Sequence, residues 1–222
     1  MSCRSRDIDV FYFLCPRRTG FRTGRRGYVL LGCVQVTRPV LVFIDYENMR
    51  YTPKHAFGSS PVDFSPTRFS QLVISRRNVL SRIYQVRVYR GMSKLDIHPE
   101  RAGRDEARLK QWEKDQRVVA VTRSLQYRWV DGRPVGYEKG IDVALAVDLI
   151  RFAHSDVEAD VVVASRDSDL NPALEAFIEA DRLNRRIEVV SSKRLERLRI
   201  WNSQKPWCHY LTKEDFDLIR ED

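Results

Sequence analysis

Long apolar runs are missing from the 222 residues. The longest candidates, "YVLLGCVQV" and "GIDVALAVDLI", are short of the ~20 residues that span a bilayer or carry aspartates. A helical integral membrane protein is excluded on that ground. Cysteine is used only four times, and Cys3, Cys15 and Cys33 all fall in the first 38 residues, leaving Cys208 alone near the other end. No Cys-x-x-Cys pair occurs, which argues against a zinc site. A dense disulfide framework is missing too, so a reducing cytoplasm is the expected location. The opening stretch lacks the succession of basic region, apolar core and small-residue cleavage site that marks a secretory signal. Internal repeats and low-complexity blocks are also lacking.

What is present is a soluble, globular composition, 43% hydrophobic and 31% charged. The net charge of +9 is unevenly spread. Residues 1–38 hold eight arginines against Asp7 and Asp9, a net +6, which leaves only +3 for the rest. Global charge is therefore a weak argument for nucleic-acid binding by the folded part. The arginine-rich opening reads as an unstructured arm or a start assigned too far upstream, and its composition also suits an organelle transit peptide.

The ordered region is expected to begin at Arg38-Pro39. "VLVFIDYENM" is a solid apolar run, Val40 to Ile44, that ends on Asp45. Residues 51–66, rich in Pro, Gly and Ser, read as a loop. Ser65-Pro66 forms a helix start, followed by the stripe Phe69, Leu72, Val73 and Leu80. "IYQVRVYRG" (83–91) alternates as a strand. Residues 101–117 read as a charged helix anchored by Ala107 and Trp112. A strand, a turn at Asp131-Gly132 and a return follow. Residues 141–153 form a helix with Ile141, Leu145 and Leu149 on one face. Val161 to Ala164 reads as a strand buried on both faces and followed by Asp167 and Asp169. A helix marked by Leu170, Leu174, Phe177 and Ile178 comes next, then a strand over 186–192. The last thirty residues show no clear period. Strands and helices in alternation predict an α/β fold with an open, mostly parallel sheet, whose ligands bind at the C-terminal edge of the strands.

That rule gives the acids their meaning. Asp45, Asp142, Asp167 and Asp169 are all expected at one sheet edge. Clustered carboxylates repel one another unless a cation holds them. Mg²⁺ prefers oxygen ligands of this kind, and such ions promote displacement at a phosphodiester. Asn48 is placed to hold a water or a phosphate oxygen, and Lys139 to neutralise a phosphate. Each acid also has a structural reading. Asp45 can cap a loop, Asp142 can complement a helix dipole, and Asp169 can cap the helix that contains Pro172. Asp148, about 240° around the helix from Asp142, is expected in a structural bond instead.

"LVFIDYENMR", "EKGIDVALAVDLI" and "VVVASRDSDLNPAL" resemble, in order and spacing, the three signature blocks of the NYN domain family of PIN-like nucleases. The resemblance covers roughly residues 39–192. It implies a Rossmann-like, PIN-like fold and a ribonuclease dependent on Mg²⁺ or Mn²⁺. The family's acidic positions then fall on Asp45, Asp142, Asp167 and Asp169, which would be catalytic and metal-binding, and its asparagine on Asn48. Asn48, Lys139, Ser165 and Arg166 would face the RNA substrate. Arg166 departs from the family by standing where glycine is usual, and is expected either to crowd the site or to reach a phosphate. The division that follows is an extension over 1–38 and one nuclease domain over 39–222, with its core at 39–192. A second copy of the chain and a regulatory protein are both compatible partners.

The basic stretch Arg76, Arg77, Arg82, Arg87, Arg90 and Lys94, interleaved with Tyr84 and Tyr89, offers an RNA grip or an ordinary solvated face. Rival readings fit less well. A haloacid-dehalogenase-like phosphatase needs an aspartate where Glu47 stands, and a Toprim-type nuclease leaves "FIDYEN" and "KGID" without a role. A degenerate nuclease fold that binds RNA or a protein without cutting remains the non-enzymatic alternative.

Overall fold

The structure, a computed structural model, describes residues 37–200 and 206–221. The arginine-rich opening and Trp201 lie outside the described residues. Strand β1 (Arg38–Asp45) is the central rib, with Val40 to Ile44 almost fully buried. It pairs in parallel with β2 (Ser81–Met92) on one side and β6 (Asp160–Ala164) on the other. The remaining partners are β3 (Val118–Ser124), β7 (Ile187–Ser191) and β8 (Trp207–Tyr210), which complete a parallel six-stranded sheet in the order β3-β2-β1-β6-β7-β8. β4 (Gln126–Val130) and β5 (Arg133–Tyr137) form a separate antiparallel hairpin, turned at Asp131-Gly132 as expected.

Side-chain alternation along β1 feeds two cores. Val40, Val42 and Ile44 face α1 (Tyr46–Phe57), α2 (Pro66–Ser75) and α6 (Lys213–Ile219), with Trp112 of α3 (Pro99–Trp112) at the rim. Leu41 and Phe43 face α4 (Ile141–Ala153) and α5 (Asn171–Ala180) through Leu145, Leu149, Leu174 and Phe177. Helices on both faces of a parallel sheet give the Rossmann-like, PIN-like α/β architecture expected. Among the described residues no helix is long and apolar enough to cross a membrane.

Several local expectations change. Residues 51–57 are not loop but the second half of α1, even though Pro53 lies inside it. Asp45 caps the start of that helix, and Gly58, at φ 69°, closes its end with an N–H bond to Lys54. The buried faces of Tyr46, Met49 and Pro53 outweigh the propensity penalty of proline. Helix α3 stops at Trp112, whose indole donates to Glu221 at 2.9 Å, while Ala107 is exposed. Leu80 and Ile178 are also exposed, so neither anchors a helix to the core.

Most of the basic stretch turns inward, while Arg82 and Tyr84 stay exposed. Arg77 is buried in bonds to Glu188 and Asp160, and Arg76 is tied to Asp215. Arg87 pairs with Asp148, Arg90 is buried against Asp105, and Tyr89 is buried too. Buried charges such as these are drawn into internal pairs, because an unpaired ion there costs too much.

Candidate active site

The C-terminal ends of β1 and β6 meet because the two strands pair in register up to Ile44 and Ala164. Asp45 and Ser165 are therefore neighbours across the edge. The Ser165 hydroxyl donates to Asp45 Oδ2 at 2.9 Å, and the Asn48 backbone N–H donates to Oδ1 at 3.2 Å. Ser165 Oγ in turn accepts the Asp167 N–H at 3.1 Å. One hydroxyl thus links the first acid to the third signature block.

Asp45 caps a helix, yet its electrostatics are not those of a simple cap. An exposed capping carboxylate gains from the helix dipole. Asp45 is only 8% exposed. Burial pushes its carboxyl up to about 6, the bonds from Ser165 and Asn48 pull against that, and the charges of Asp167 and Glu47 add to the rise. A second acid shows the same pattern. Glu138, between β5 and α4, is pushed up to about 7, first by burial and then by Asp45 and Glu47, against the pull of the Gly91 N–H and Arg90. No basic side chain among the described residues bonds Asp45, Glu138 or Asp167.

The other expected residues are placed less centrally. Asp142 lies half-buried in the first turn of α4, which runs from this edge back toward the start of β6. Its side chain makes no hydrogen bond or ion pair with a described residue, and neither do the exposed side chains of Lys139 and Asp169. Asp169 does not cap α5. The capping carboxylate is Asp167, whose Oδ1 accepts the Asp169 N–H at the start of a short 3-10 turn, Ser168–Leu170. The four aspartates share an edge without closing on one point. Among the described residues no three His, Cys, Asp or Glu side chains stand close enough to hold one ion between them.

Asn48 is first a clamp, because its Oδ1 accepts the Arg166 backbone N–H at 3.1 Å. The Arg166 guanidinium turns along α1 to Thr52 Oγ1 (2.9 Å) and His55 Nδ1 (3.1 Å). It neither bonds the acids nor reaches outward for a phosphate. Asp148 takes the structural role expected of it, accepting from the Tyr89 hydroxyl at 2.9 Å.

Glu138 and Glu47 are acids of this edge that the sequence reading did not select. Glu138 stands inside the quoted block "EKGID", but only the fold shows that its carboxylate accepts the Gly91 N–H. That contact demands glycine. A Cβ at Gly91 would overlap Leu125 Cδ2 and come within 2.8 Å of Glu138 Cγ. Gly91→Ala should cost about 1–3 kcal/mol, read as a lower midpoint in urea unfolding.

The donor set suits a hard divalent cation, being all oxygen and crowded with negative charge, with no basic side chain bonded to Asp45, Glu138 or Asp167 among the described residues. The NYN domain family model matches residues 39–199. A search of curated proteins returns no significant match. Among solved structures, a protein of unknown function from Vibrio parahaemolyticus is similar, at 19% identity and a TM-score of 0.47, over 72% of this chain and 85% of that one. By a match that spans most of its length, the chain belongs to the NYN domain family and is a nuclease-like module.

Proposed function

We propose that the domain is a ribonuclease that hydrolyses RNA phosphodiester bonds with Mg²⁺ or Mn²⁺ at the Asp45 edge of the sheet. The observation that carries this is the buried Asp45 carboxylate, held by two donors, acted on by the charges of Asp167 and Glu47, and bonded to no basic side chain among the described residues. Asp45, Asp167 and Asp142 would hold the ion, with Glu138 and Asp169 completing the acidic rim. When bound, the ion supplies Lewis-acid stabilisation of charge at a phosphodiester. Ser165 orients Asp45 and the Asp167 backbone together, and Asn48 fixes the loop that carries Asp167. Lys139, exposed at the mouth, supplies positive charge to an approaching strand. The cytoplasm, RNA as substrate and a restraining protein or second copy belong to the same proposal.

Incubation of labelled RNA with the purified chain in Mg²⁺ or Mn²⁺, beside an EDTA control, tests it. Metal-dependent cleavage is expected, and cleavage that survives EDTA would overturn the mechanism. A non-cutting RNA-binding module draws on one observation, that the aspartates do not close on a single point. Binding without cleavage in either metal would favour it.

Activity should also depend on pH with a defined sign. Ionised carboxylates are required to hold a cation, so cleavage is expected to rise as pH passes upward through about 6 to 7, where Asp45 and Glu138 lose their protons. The Ser165 hydroxyl lowers the Asp45 value, so Ser165→Ala should move this limb to higher pH. An unmoved limb in the pH–rate profile would show that Ser165 does not tune Asp45.

A further inference from the structure

Beside the acidic edge lies a cavity of about 330 Å³, roughly ten times the ~30 Å³ share of one water molecule. Five arginines line it, Arg50, Arg90, Arg101, Arg104 and Arg108, against Asp63 and Asp105. Most of that charge is paired. Arg50 lies 2.7 Å from Asp63 and 3.2 Å from Glu47, Arg108 lies 3.1 Å from Asp63 and 3.6 Å from Glu221, and Arg90 lies 2.8 Å from Asp105. Arg104 reaches only exposed Glu100, at 3.9 Å, and Arg101 has no partner among the described residues.

The deepest of these arginines is the most telling. Arg90 is 3% exposed, and its Nε and Nη1 have no hydrogen-bond partner. Its guanidinium lies over the rings of Tyr46 (4.8 Å) and Trp112 (5.8 Å), which fix it in place. Leaving buried charged donors unmade is costly, so a group held this way is prepared for an anion. Every base here is arginine, whose planar fork suits the paired oxygens of a phosphate. Glu47 joins the cavity to the catalytic edge. Its Oε1 lies 3.6 Å from Arg90 Nε, and its charge acts on both Asp45 and Glu138.

We propose that this arginine-lined cavity is a phosphate pocket that seats a phosphate of the RNA strand next to the acidic centre; the identity of the strand rests on the ribonuclease reading. The acids would repel a polyanion approaching alone; the unmade donors of Arg90 at the end of β2, with exposed Arg101 and Arg104, supply a grip beside them. Tyr51, at its rim and 5.2 Å from the Arg50 guanidinium, offers a face for a neighbouring base.

The test uses the full chain and an RNA oligonucleotide labelled at its 3′ end, in EDTA, with Kd read by fluorescence polarisation over a salt series. Arg101→Glu/Arg104→Glu changes two exposed side chains and should keep the circular dichroism and Tm of the parent. Kd should rise at least ten-fold, and the slope of log Kd against log salt should fall by about two. The control Arg182→Glu/Arg186→Glu, exposed before β7 at the opposite sheet edge, should change both far less. RNA with a 5′-monophosphate and with a 5′-hydroxyl separates the sources. A 5′-phosphate preference that the variant loses marks a terminal phosphate, and equal loss for both RNAs marks an internal one. An unchanged Kd and slope, or an equal effect of the control, would overturn the pocket. Cleavage by the parent alongside that result would leave the ribonuclease reading standing. Pocket-dependent binding without any cleavage would sink the ribonuclease reading and keep the pocket.

Discussion

Asp45→Asn should abolish metal-dependent RNA cleavage and at the same time raise the melting temperature. The activity loss is expected to be at least ~100-fold, the scale on which a single electrostatic group acts in a site. The gain in stability follows from the same burial. A folded-state value of about 6 against the ordinary carboxylate value of 3.8 means that the fold disfavours the charged form. That shift is worth on the order of 3 kcal/mol at ~1.36 kcal/mol per unit. The penalty is absent below the unfolded value, grows as pH rises through it, and is complete above about 6. Asparagine removes the charge and keeps the shape. Its carbonyl can accept the Asn48 N–H and its amide can face Ser165 Oγ. The variant should therefore melt on the order of 5 °C higher at pH 8 and no higher near pH 4. A variant that loses both activity and stability would mean that Asp45 is mainly a helix cap. The pairing of lost function with gained stability is the mark of a site that evolution keeps strained.

The second large effect lies at the opposite edge. Arg77, its side chain wholly buried, donates to Glu188 Oε1 at 2.7 Å and to Asp160 Oδ2 at 2.6 Å. Arg38 shares Asp160, Ser81 accepts from Arg77, and His209 meets Glu188 at 2.7 Å. One guanidinium therefore gathers the N-terminal ends of β2, β6 and β7, while β1 joins through Arg38 and β8 through His209. Burial pushes the Glu188 carboxyl upward, but His209 and Arg77 outweigh it and hold the group below its ordinary value. Removing one partner of such a network strands buried charge, at a cost of about 3–5 kcal/mol. For a fold stabilised by ~5–15 kcal/mol that is a large fraction. Arg77→Met should lower Tm on the order of 10 °C at pH 7. Adding Glu188→Gln should recover part of it, because the stranded charge is then gone. Stability carried by ionised Glu188 is present above its unfolded value of 4.5 and lost as pH falls through the lower folded value. The gap between parent and Arg77→Met should accordingly narrow in acid. A double variant no better than the single one would assign the loss to packing rather than charge.

These two sites show what a linear sequence displays and what it hides. Val40–Ile44 and Val161–Ala164 are legible because an unbroken apolar run ending on an acid has few other readings. The helix over 141–153 matches its expected bounds because Ile141, Leu145 and Leu149 repeat at helical spacing. Ser65 caps α2 with Pro66 behind it, as the dipeptide suggests. The acidic edge was legible as a set of strand ends, but its membership was not. Glu138 depends on the approach of Gly91 from β2, and Asp167 rather than Asp169 takes the capping role because a 3-10 turn intervenes. β8 and α6 escaped notice because four and seven residues are too few to show a period. The capping box of Thr212 and Asp215 was the one local sign of α6. Arg77 and Arg90 read as surface charge because the acids that pair with them are distant in the chain or on another element.

The central claim is that the Asp45 edge is a cation site, and a titration with Mn²⁺ followed by electron paramagnetic resonance tests it most directly. The parent chain should take up Mn²⁺ at pH 7.5, with affinity falling as pH drops through about 6. Asp45→Asn should bind at least ten-fold more weakly, and Arg101→Glu/Arg104→Glu should bind as the parent does. Equal Mn²⁺ binding by the parent and Asp45→Asn, or no binding by the parent, would contradict the account.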